Sequence, residues 1–312
     1  EAGITEIGII IAPETGDEIR EVAGDGSQFG AQITYIPQAE PLGLAHAVLT
    51  AEEYLGDTPF VMYLGDNLLR EGIAGLTKSF KENQPDALIL LTAVPDPEHY
   101  GVAELTDGKV TRLVEKPPEP KTDLALVGVY MFTRSIFDAA KAIQPSARGE
   151  LEITDAIQYL VDQGKNVEPH LVDGWWKDTG RLEDMLQANR LVLEDLVTQV
   201  DGELIDSSVE GRVVIEPGAR LERTVVRGPA VIGADAQLKD AYIGPYTAIG
   251  DRVVIESAEI EYSIVLEDAR ISDLGARMEA SLIGKSSRIT QTDGMPRTYR
   301  LLVGDNCDIK LV

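Results

Sequence analysis

The chain has 312 residues, and its 53 acidic against 28 basic side chains give a formal net charge of −25. A surface this acidic repels nucleic-acid phosphates and anionic membranes. Neither is therefore an expected partner. No apolar stretch is long enough to span a bilayer, and no basic-then-apolar signal segment is found. The single Cys307 excludes a disulfide framework and predicts a reducing cytoplasm, with the thiol as a small buried side chain.

Up to about residue 200, short apolar runs alternate with helical stretches. Runs of this length are typical of buried strands, and the helical stretch 44–55 keeps its aliphatic residues on one face. A final helix, from 181 to about 197, connects this half to the rest. The alternation predicts an α/β domain over residues 1–200, with a mostly parallel sheet covered by helices. The predicted strands are 7–11, 33–36, 60–64, 88–93, 110–114 and 124–132.

After Asp201, aliphatic residues recur at a step of 17 positions. Three short strands in each period predict a triangular parallel β-helix over residues 201–312. Each aliphatic column would become an internal ladder in which one coil shields the next. The second column is expected to stop at Arg277 and the third before Ser272. The columns are Ile215, Ile232, Ile249, Leu266 and Ile283; Val209, Val226, Ile243 and Ile260; and Leu221, Leu238 and Ile255.

Two carboxylates carry most of the functional information. Asp66 follows the apolar run 60–64 in Gly65-Asp66-Asn67, and Asp178 lies within the motif 174–180. A carboxylate at the carboxyl end of a strand lies where open α/β sheets bind ligands. Two such groups could hold one Mg²⁺ and leave coordination positions open for substrate phosphates. The pair therefore indicates phosphoryl chemistry.

The segment 35–46 joins a strand end to a helix start. Gly43 lies where the helix begins, so its backbone amide is suited to bond a ligand. Gln38 offers both a donor and an acceptor, which suits the edge of a pyrimidine base. The alternative interpretation is a plain turn followed by a helix cap.

Three further segments carry charged or aromatic side chains. Glu115 and Lys116 follow a strand and could bind a sugar hydroxyl and a phosphate, although an exposed ion pair is an equal alternative. Arg148 could clamp a phosphate in bidentate fashion. The acids within 152–155 could instead be first-turn and capping residues of the next helix. Trp176 could pack beneath the site or form a wall for a ring.

Taken together and in this order, these segments resemble the sugar-1-phosphate nucleotidylyltransferases, and in particular their long form with a β-helical tail. The resemblance covers most of residues 1–200. It implies a Rossmann-like domain of the nucleotide-diphospho-sugar transferase type, followed by a left-handed parallel β-helix of the hexapeptide type. The segments that carry it are Gln38 to Gly43, Leu64-Gly65-Asp66-Asn67, His99-Tyr100-Gly101-Val102, Glu115-Lys116-Pro117, Val127-Gly128-Val129-Tyr130, Arg148 to Asp155 and Trp176-Lys177-Asp178-Thr179-Gly180.

The resemblance also implies a reaction and a role for each site residue. Glucose 1-phosphate and dTTP, or UTP, would be the substrates, Mg²⁺ the cofactor, and dTDP-glucose and pyrophosphate the products. The implied roles are metal binding by Asp66 and Asp178, base recognition by Gln38 and Gly43, the glucosyl pocket formed by Tyr100, Gly101, Glu115, Leu126 and Gly128, and the sugar phosphate held by Lys116 and Arg148 beside Trp176.

One family feature has no match in this sequence. The family begins with a strand and a Gly-rich loop containing Gly-x-Gly-Thr-Arg, with a phosphate-binding Lys farther on, and the first residue here corresponds to a point beyond that loop. We therefore expect residues 1–312 alone to be nearly inactive.

Two rival functions follow from other features. A regulatory or structural subunit is an alternative, because the β-helix could assemble copies of the chain into a homo-oligomer. Acyl transfer is disfavoured: it would require a His on the β-helix, whereas His46, His99 and His170 all precede the repeats.

Overall fold

The computed structural model of the chain describes residues 2–291 and 307–310. The chain divides into two compact units, Glu1–Asp178 and Thr179–Val312. The contacts of the helix Leu182–Leu193 place it in the second unit. The sequence pattern predicts the domain boundary near residue 200. No helix within the described residues is long and apolar enough to cross a membrane.

The first unit has a main sheet with helices on both faces and two separate pairs of strands, and the predicted α/β class is confirmed. Its strands are β1 (Glu6–Ile11), β2 (Gln32–Pro37), β3 (Phe60–Tyr63), β4 (Asn67–Leu69), β5 (Ala87–Ala93), β6 (Gly101–Thr106), β7 (Lys109–Glu115), β8 (Leu124–Phe132), β9 (Val167–Leu171) and β10 (Trp176–Asp178). Its helices are α1 (Gly16–Ala23), α2 (Leu44–Thr50), α3 (Glu52–Leu55), α4 (Ala74–Asn83), α5 (Ser135–Ala142) and α6 (Ile153–Asp162), and the helix of the second unit is α7 (Leu182–Leu193).

The main sheet has the order β7-β6-β8-β5-β9, with β3 also paired to β8. Strands β5 and β9 are parallel, as are β1 and β2 in a separate pair, while β8 runs antiparallel to β3, β5 and β6. The sequence pattern does not predict this antiparallel central strand, because burial on both faces gives the same apolar run in either direction.

Alternate residues of the central strands face two separate cores. Ile89, Leu91 and Phe132 pack with α2, α5 and α6, whereas Leu88 and Met131 pack with α4. The predicted helix 44–55 is two helices, α2 and α3, which meet at Ala51. The sheet therefore brings the carboxyl ends of several strands to one edge with helical support on both faces.

The second unit contains a parallel β-helix, as predicted. Within the described residues, three sheets of stacked strands run along it, two with six strands and one with five. Its strands are β11 (Gln199–Val200), β12 (Glu203–Ile205), β13 (Ser208–Glu210), β14 (Val213–Ile215), β15 (Arg220–Glu222), β16 (Val225–Arg227), β17 (Ala230–Ile232), β18 (Gln237–Lys239), β19 (Tyr242–Ile243), β20 (Thr247–Ile249), β21 (Val254–Glu256), β22 (Glu259–Glu261), β23 (Ile264–Val265), β24 (Arg270–Ser272), β25 (Met278–Glu279), β26 (Leu282–Ile283) and β27 (Arg288–Thr290).

Two details of the predicted columns are wrong. Ile249 pairs with Val265 rather than Leu266, and Val265 pairs with Ile283, so steps of 16 and 18 replace two steps of 17. The neighbouring Leu266 is also aliphatic, which hides the shortened corner in the sequence. The other two columns do not stop, because Ile260 continues to Met278 and the third ladder continues to Ile271 and Ile289.

Outside the coils, Cys307 is exposed, so the predicted burial of its thiol is wrong.

We expect Leu238→Ala to destabilise the β-helix by about 2–5 kcal/mol, because Leu238 is 1% exposed and its neighbours Leu221 and Ile255 are held by the coils above and below. Chemical denaturation measures the loss. The matched control is Gln237→Ala, whose side chain is exposed on the same strand and should change stability by less than about 0.5 kcal/mol. Equal losses in both variants would contradict the assigned ladder.

Candidate functional site

The side chain of Asn67 joins three of the predicted site segments. It is 4% exposed, and its Oδ1 accepts hydrogen bonds from the backbone N–H of Gly128 at 3.0 Å and from the indole N–H of Trp176 at 2.6 Å. Its Nδ2 donates to Asp66 Oδ1 at 2.8 Å. Because every bond uses the correct end of the amide, the orientation of Asn67 is fixed, and so is one oxygen of Asp66.

Strand pairing brings the two predicted metal ligands together. Strand β4 pairs antiparallel with β10, and Asp178 lies directly opposite Asn67. Asp66 precedes Asn67 in the chain, so it is offset by one residue from the position opposite Asp178. The backbones of paired strands are roughly 5 Å apart. Burial raises the pKa of Tyr130, and the charges of Glu115 and Asp66 add to the shift, which indicates that both acids lie near this phenol.

Only glycine fits at position 128, because there is no room for a Cβ atom. A Cβ atom there would lie 2.7 Å from Asn67 Nδ2 and 2.8 Å from its Cγ. The carbonyl of Gly128 also accepts from the N–H of Leu64, which fixes the loop that carries Asp66. A side chain at Gly128 would therefore displace the amide that orients Asp66 and Trp176.

The predicted glucosyl pocket is assembled at the ends of β6 and β7. Gly101 lies opposite Glu115, and Tyr100 packs edge-on against Trp176 with ring centroids 5.6 Å apart. A Cβ at Gly101 would lie 3.0 Å from Glu115 Oε2 and 3.1 Å from Leu126 Cδ1. The side chain of Leu126 thus lies close to Gly101.

Lys116 follows Glu115 with a left-handed backbone. Its φ is 41°, and its N–H donates to the carbonyl of Tyr100 at 3.0 Å. A non-glycine residue in this region is strained, and such residues concentrate at functional sites. Lys116 is exposed to solvent.

Arg148 is held by three carboxylates. Its guanidinium donates to both oxygens of Glu152 at 2.9 Å and to Glu115 at 3.5 Å, and it forms an ion pair with Glu150 at 3.4 Å. The hydrogen bond to Glu152 is the main reason that the pKa of Arg148 is raised. Glu152 is 4% exposed and occupies the N-cap position of α6, yet it makes no capping bond. Its carboxylate orients Arg148 instead, so the predicted capping role for Glu152 is wrong.

Glu115 lies in a partly desolvated pocket. Thr154 Oγ1 donates to Glu115 Oε2 at 2.6 Å, and burial raises the pKa of Glu115 despite that bond and the nearby cations. The hydrogen bond orients one oxygen, which suits a carboxylate that accepts from a ligand hydroxyl. Thr154 and Asn67 are not predicted as site residues from the sequence. Their only signal there is that both are polar and lie within the segments that contain Arg148 and Asp66.

Gln38 and Gly43, which are predicted to recognise the base, lie beside the segment that carries Arg148. Gly43 has a φ of 101°, and a Cβ there would lie 2.5 Å from the carbonyl oxygen of Leu151 and 3.0 Å from Glu150 Cβ. Gln38 Nε2 donates to the carbonyl of Gly43 at 3.4 Å and contacts His46 Nδ1 at 2.9 Å. Gln38 and Gly43 therefore lie next to Leu151 and Glu150, in the same segment of the chain as Arg148.

Comparisons with known proteins show which family the chain resembles over most of its length. The profile of the nucleotidyl transferase family matches residues 1–195. A glucose-1-phosphate thymidylyltransferase of Streptomyces antibioticus is 49% identical over 99% of this chain and 87% of its own length. A low-salt glycan biosynthesis nucleotidyltransferase of Haloferax volcanii is 47% identical over 100% of this chain and 88% of its own. Among solved structures, a proposed glucose-1-phosphate thymidylyltransferase from Bacillus anthracis has a TM-score of 0.58 and 34% identity, covering 64% of this chain and 80% of that one.

We expect Glu152→Gln to lower the free energy of unfolding by about 1–3 kcal/mol, because it removes a charge-assisted pair whose carboxylate is buried. Thermal and chemical denaturation measure the change. Glu150→Gln is the matched control: this half-exposed partner of Arg148 should cost less than about 1 kcal/mol. A larger loss from Glu150→Gln than from Glu152→Gln would contradict the assignment of Glu152.

The raised pKa of Glu115 predicts a pH dependence of stability. Between the ordinary glutamate value and the raised one, the folded chain binds more protons than the unfolded chain, so the stability contribution of Glu115 falls as pH rises. The free energy of unfolding of the wild type minus that of Glu115→Gln should therefore decrease across this window. Denaturation series at several pH values test it, and a difference that increases with pH would refute the shift.

Proposed function

The chain belongs to the nucleotidyl transferase family, and from that premise we propose that it transfers thymidylate from dTTP to glucose 1-phosphate, forming dTDP-glucose and pyrophosphate. The observation that carries the proposal is the pairing of β4 with β10, which brings Asp66 and Asp178 together beside the Glu115–Arg148 cluster. Similarity over almost the whole chain to a protein named for this activity supports the choice of substrates.

The proposed reaction is a direct displacement. A phosphate oxygen of glucose 1-phosphate attacks the α-phosphorus of dTTP, a new P–O bond forms, the bond to the β-phosphate breaks, and pyrophosphate leaves with its electron pair. The attacking phosphate is already anionic at neutral pH, so no base has to remove a proton. Alignment of the reactants and neutralisation of charge are the main requirements, which the protein meets with cations and oriented amides.

We propose Asp66 and Asp178 as the ligands of Mg²⁺. No group of three or more His, Cys, Asp or Glu suited to a metal occurs among the residues that the structure describes. Two neighbouring carboxylates nonetheless fit Mg²⁺, which usually takes one or two protein carboxylates and completes its shell with substrate phosphates and water. When bound, the ion would neutralise phosphate charge, while Asn67 keeps one oxygen of Asp66 oriented.

The nucleophile would be held by Lys116 and Arg148, with its sugar ring against Tyr100, Gly101 and Leu126. Arg148 has to exchange some carboxylate contacts for phosphate. Its hydrogen bond to Glu115, at 3.5 Å, and its ion pair with Glu150, at 3.4 Å, are long, whereas its hydrogen bonds to Glu152 are 2.9 Å. The incoming phosphate would therefore replace the long contacts, and Glu152 would continue to orient the guanidinium. Once Arg148 has left it, Glu115 would accept a hydrogen bond from a sugar hydroxyl.

Further attributes belong to the same proposal. Gln38 and Gly43 would read the pyrimidine edge, which thymine and uracil share, so UTP is the alternative nucleotide. Gly128 would line the glucosyl pocket, and Trp176 would lie beside the residues that hold the sugar phosphate. We also propose that the coils are of the hexapeptide type, that the enzyme acts in the cytoplasm, and that the β-helix is where copies could associate. A panel pairing four nucleoside triphosphates with several sugar 1-phosphates tests the specificity; preferred turnover of a purine nucleotide would contradict it.

We predict that Asp66→Asn lowers turnover by at least about a hundredfold, the scale of losing one electrostatic stabiliser. Pyrophosphate release is measured with dTTP and glucose 1-phosphate, in the 312-residue chain and in a form extended at its N-terminus by a Gly-x-Gly-Thr-Arg loop. The control is Asp107→Asn, at a turn with a φ of 50° that Asn tolerates. Near-normal turnover of Asp66→Asn with Mg²⁺ would refute the assigned metal role.

A further inference from the structure

The amide of Gln38 is held in one orientation by two neighbours. Its Nε2 donates to the carbonyl oxygen of Gly43 at 3.4 Å and lies 2.9 Å from His46 Nδ1. A carbonyl oxygen can only accept a hydrogen bond, so the nitrogen end of the amide must face Gly43. The second N–H of the same nitrogen then points at the imidazole. Both donors of Gln38 are thereby used within the protein.

The orientation of Gln38 determines the tautomer of His46. Because the amide nitrogen donates to Nδ1, this ring nitrogen has no hydrogen, and the ring proton is on Nε2. The same arrangement leaves Gln38 Oε1 as the end of the amide that is directed away from these two partners. An imidazole with hydrogen on Nδ1 would instead meet the amide nitrogen donor to donor.

We propose that His46 is a positioning residue for nucleotide recognition: it fixes the Gln38 amide so that Oε1, an acceptor, meets the ring N–H of thymine or uracil. This inference rests on the proposed function and names the chemical feature that the site selects. The ring N3 of cytosine is an acceptor, so it would meet Oε1 without a hydrogen between them. His46 therefore acts on the base through Gln38 and does not contact the reacting atoms.

The local fold supports a fixed geometry for this pair. The backbone N–H of Gln38 donates to the carbonyl of Ile11 at 2.9 Å, which holds the residue at the end of β2. His46 lies in the first turn of α2, where the carbonyl of Gly43 also accepts from the N–H of Ala47 at 3.1 Å. Gly43 thus connects the helix that carries His46 to the amide that His46 orients.

The first experiment measures the tautomer directly. The chain contains three histidines, so the ¹⁵N spectrum of its imidazole rings is simple, and loss of signals in His46→Gln assigns the ring. We expect wild-type His46 at neutral pH to have hydrogen on Nε2 and a hydrogen-bonded Nδ1, and we expect the Nδ1 resonance to move in Gln38→Leu. Hydrogen on Nδ1, or no response to Gln38→Leu, would overturn the positioning role. This readout requires no nucleotide.

The second experiment measures base preference as the ratio of dTTP to dCTP affinity by calorimetry, with UTP in parallel. His46→Leu removes the acceptor, so the ratio should fall by about 2- to 10-fold, the effect of one hydrogen bond. His46→Gln retains an acceptor and should stay within about twofold of wild type. The control is His170→Gln on β9. Equal falls in His46→Leu and His46→Gln, or no fall in either, would overturn the proposal.

The two experiments separate the inference from the proposed function. Wild-type chain that binds neither dTTP nor UTP would refute the proposed function and with it the recognition role of His46, while the imidazole spectrum still decides whether His46 holds the amide. Binding of dTTP with an unchanged ratio in His46→Leu would leave the proposed function intact and refute the inference alone.

Discussion

The arrangement of the candidate site depends on one buried amide. Asn67 bonds to the loop before it, to the central strand and to the tryptophan of β10, so three segments distant in sequence share one side chain. A buried amide left unpaired is costly, and this one is satisfied at both ends. The position of Asp66 relative to Asp178 therefore depends on hydrogen bonds as well as on strand pairing.

The acidic composition of the chain contrasts with the anionic substrates of the proposed reaction. A chain with a net charge of −25 has to bind two polyanions in the proposed reaction, and Lys116 and Arg148 are the cations proposed to hold one of them. Three carboxylates surround Arg148, so a phosphate that binds Arg148 in the proposed reaction would compete with them. These acids thus orient the guanidinium of Arg148.

How well a feature could be predicted depended on how far apart in the sequence the interacting residues lie. The α/β class, the β-helix and the strand-end carboxylates were predicted because they depend on periodicity and on residues within one motif. The antiparallel direction of β8, the bond from Trp176 to Asn67 and the grip of Glu152 on Arg148 were not predicted, because they depend on segments brought together only by folding. The Leu266 error has a local cause: two adjacent aliphatic residues made the shortened corner invisible.

The compensated irregularity of the β-helix has a consequence for how such a chain can change. The corner before Val265 is one residue short, and the stretch between Ile271 and Met278 is longer than its counterparts, yet every ladder continues through both. Since each coil pairs only with its immediate neighbours, an insertion or deletion at a corner is absorbed within one layer. Lineages of this fold can therefore gain or lose corner residues, or whole coils, without rethreading the catalytic unit that precedes them.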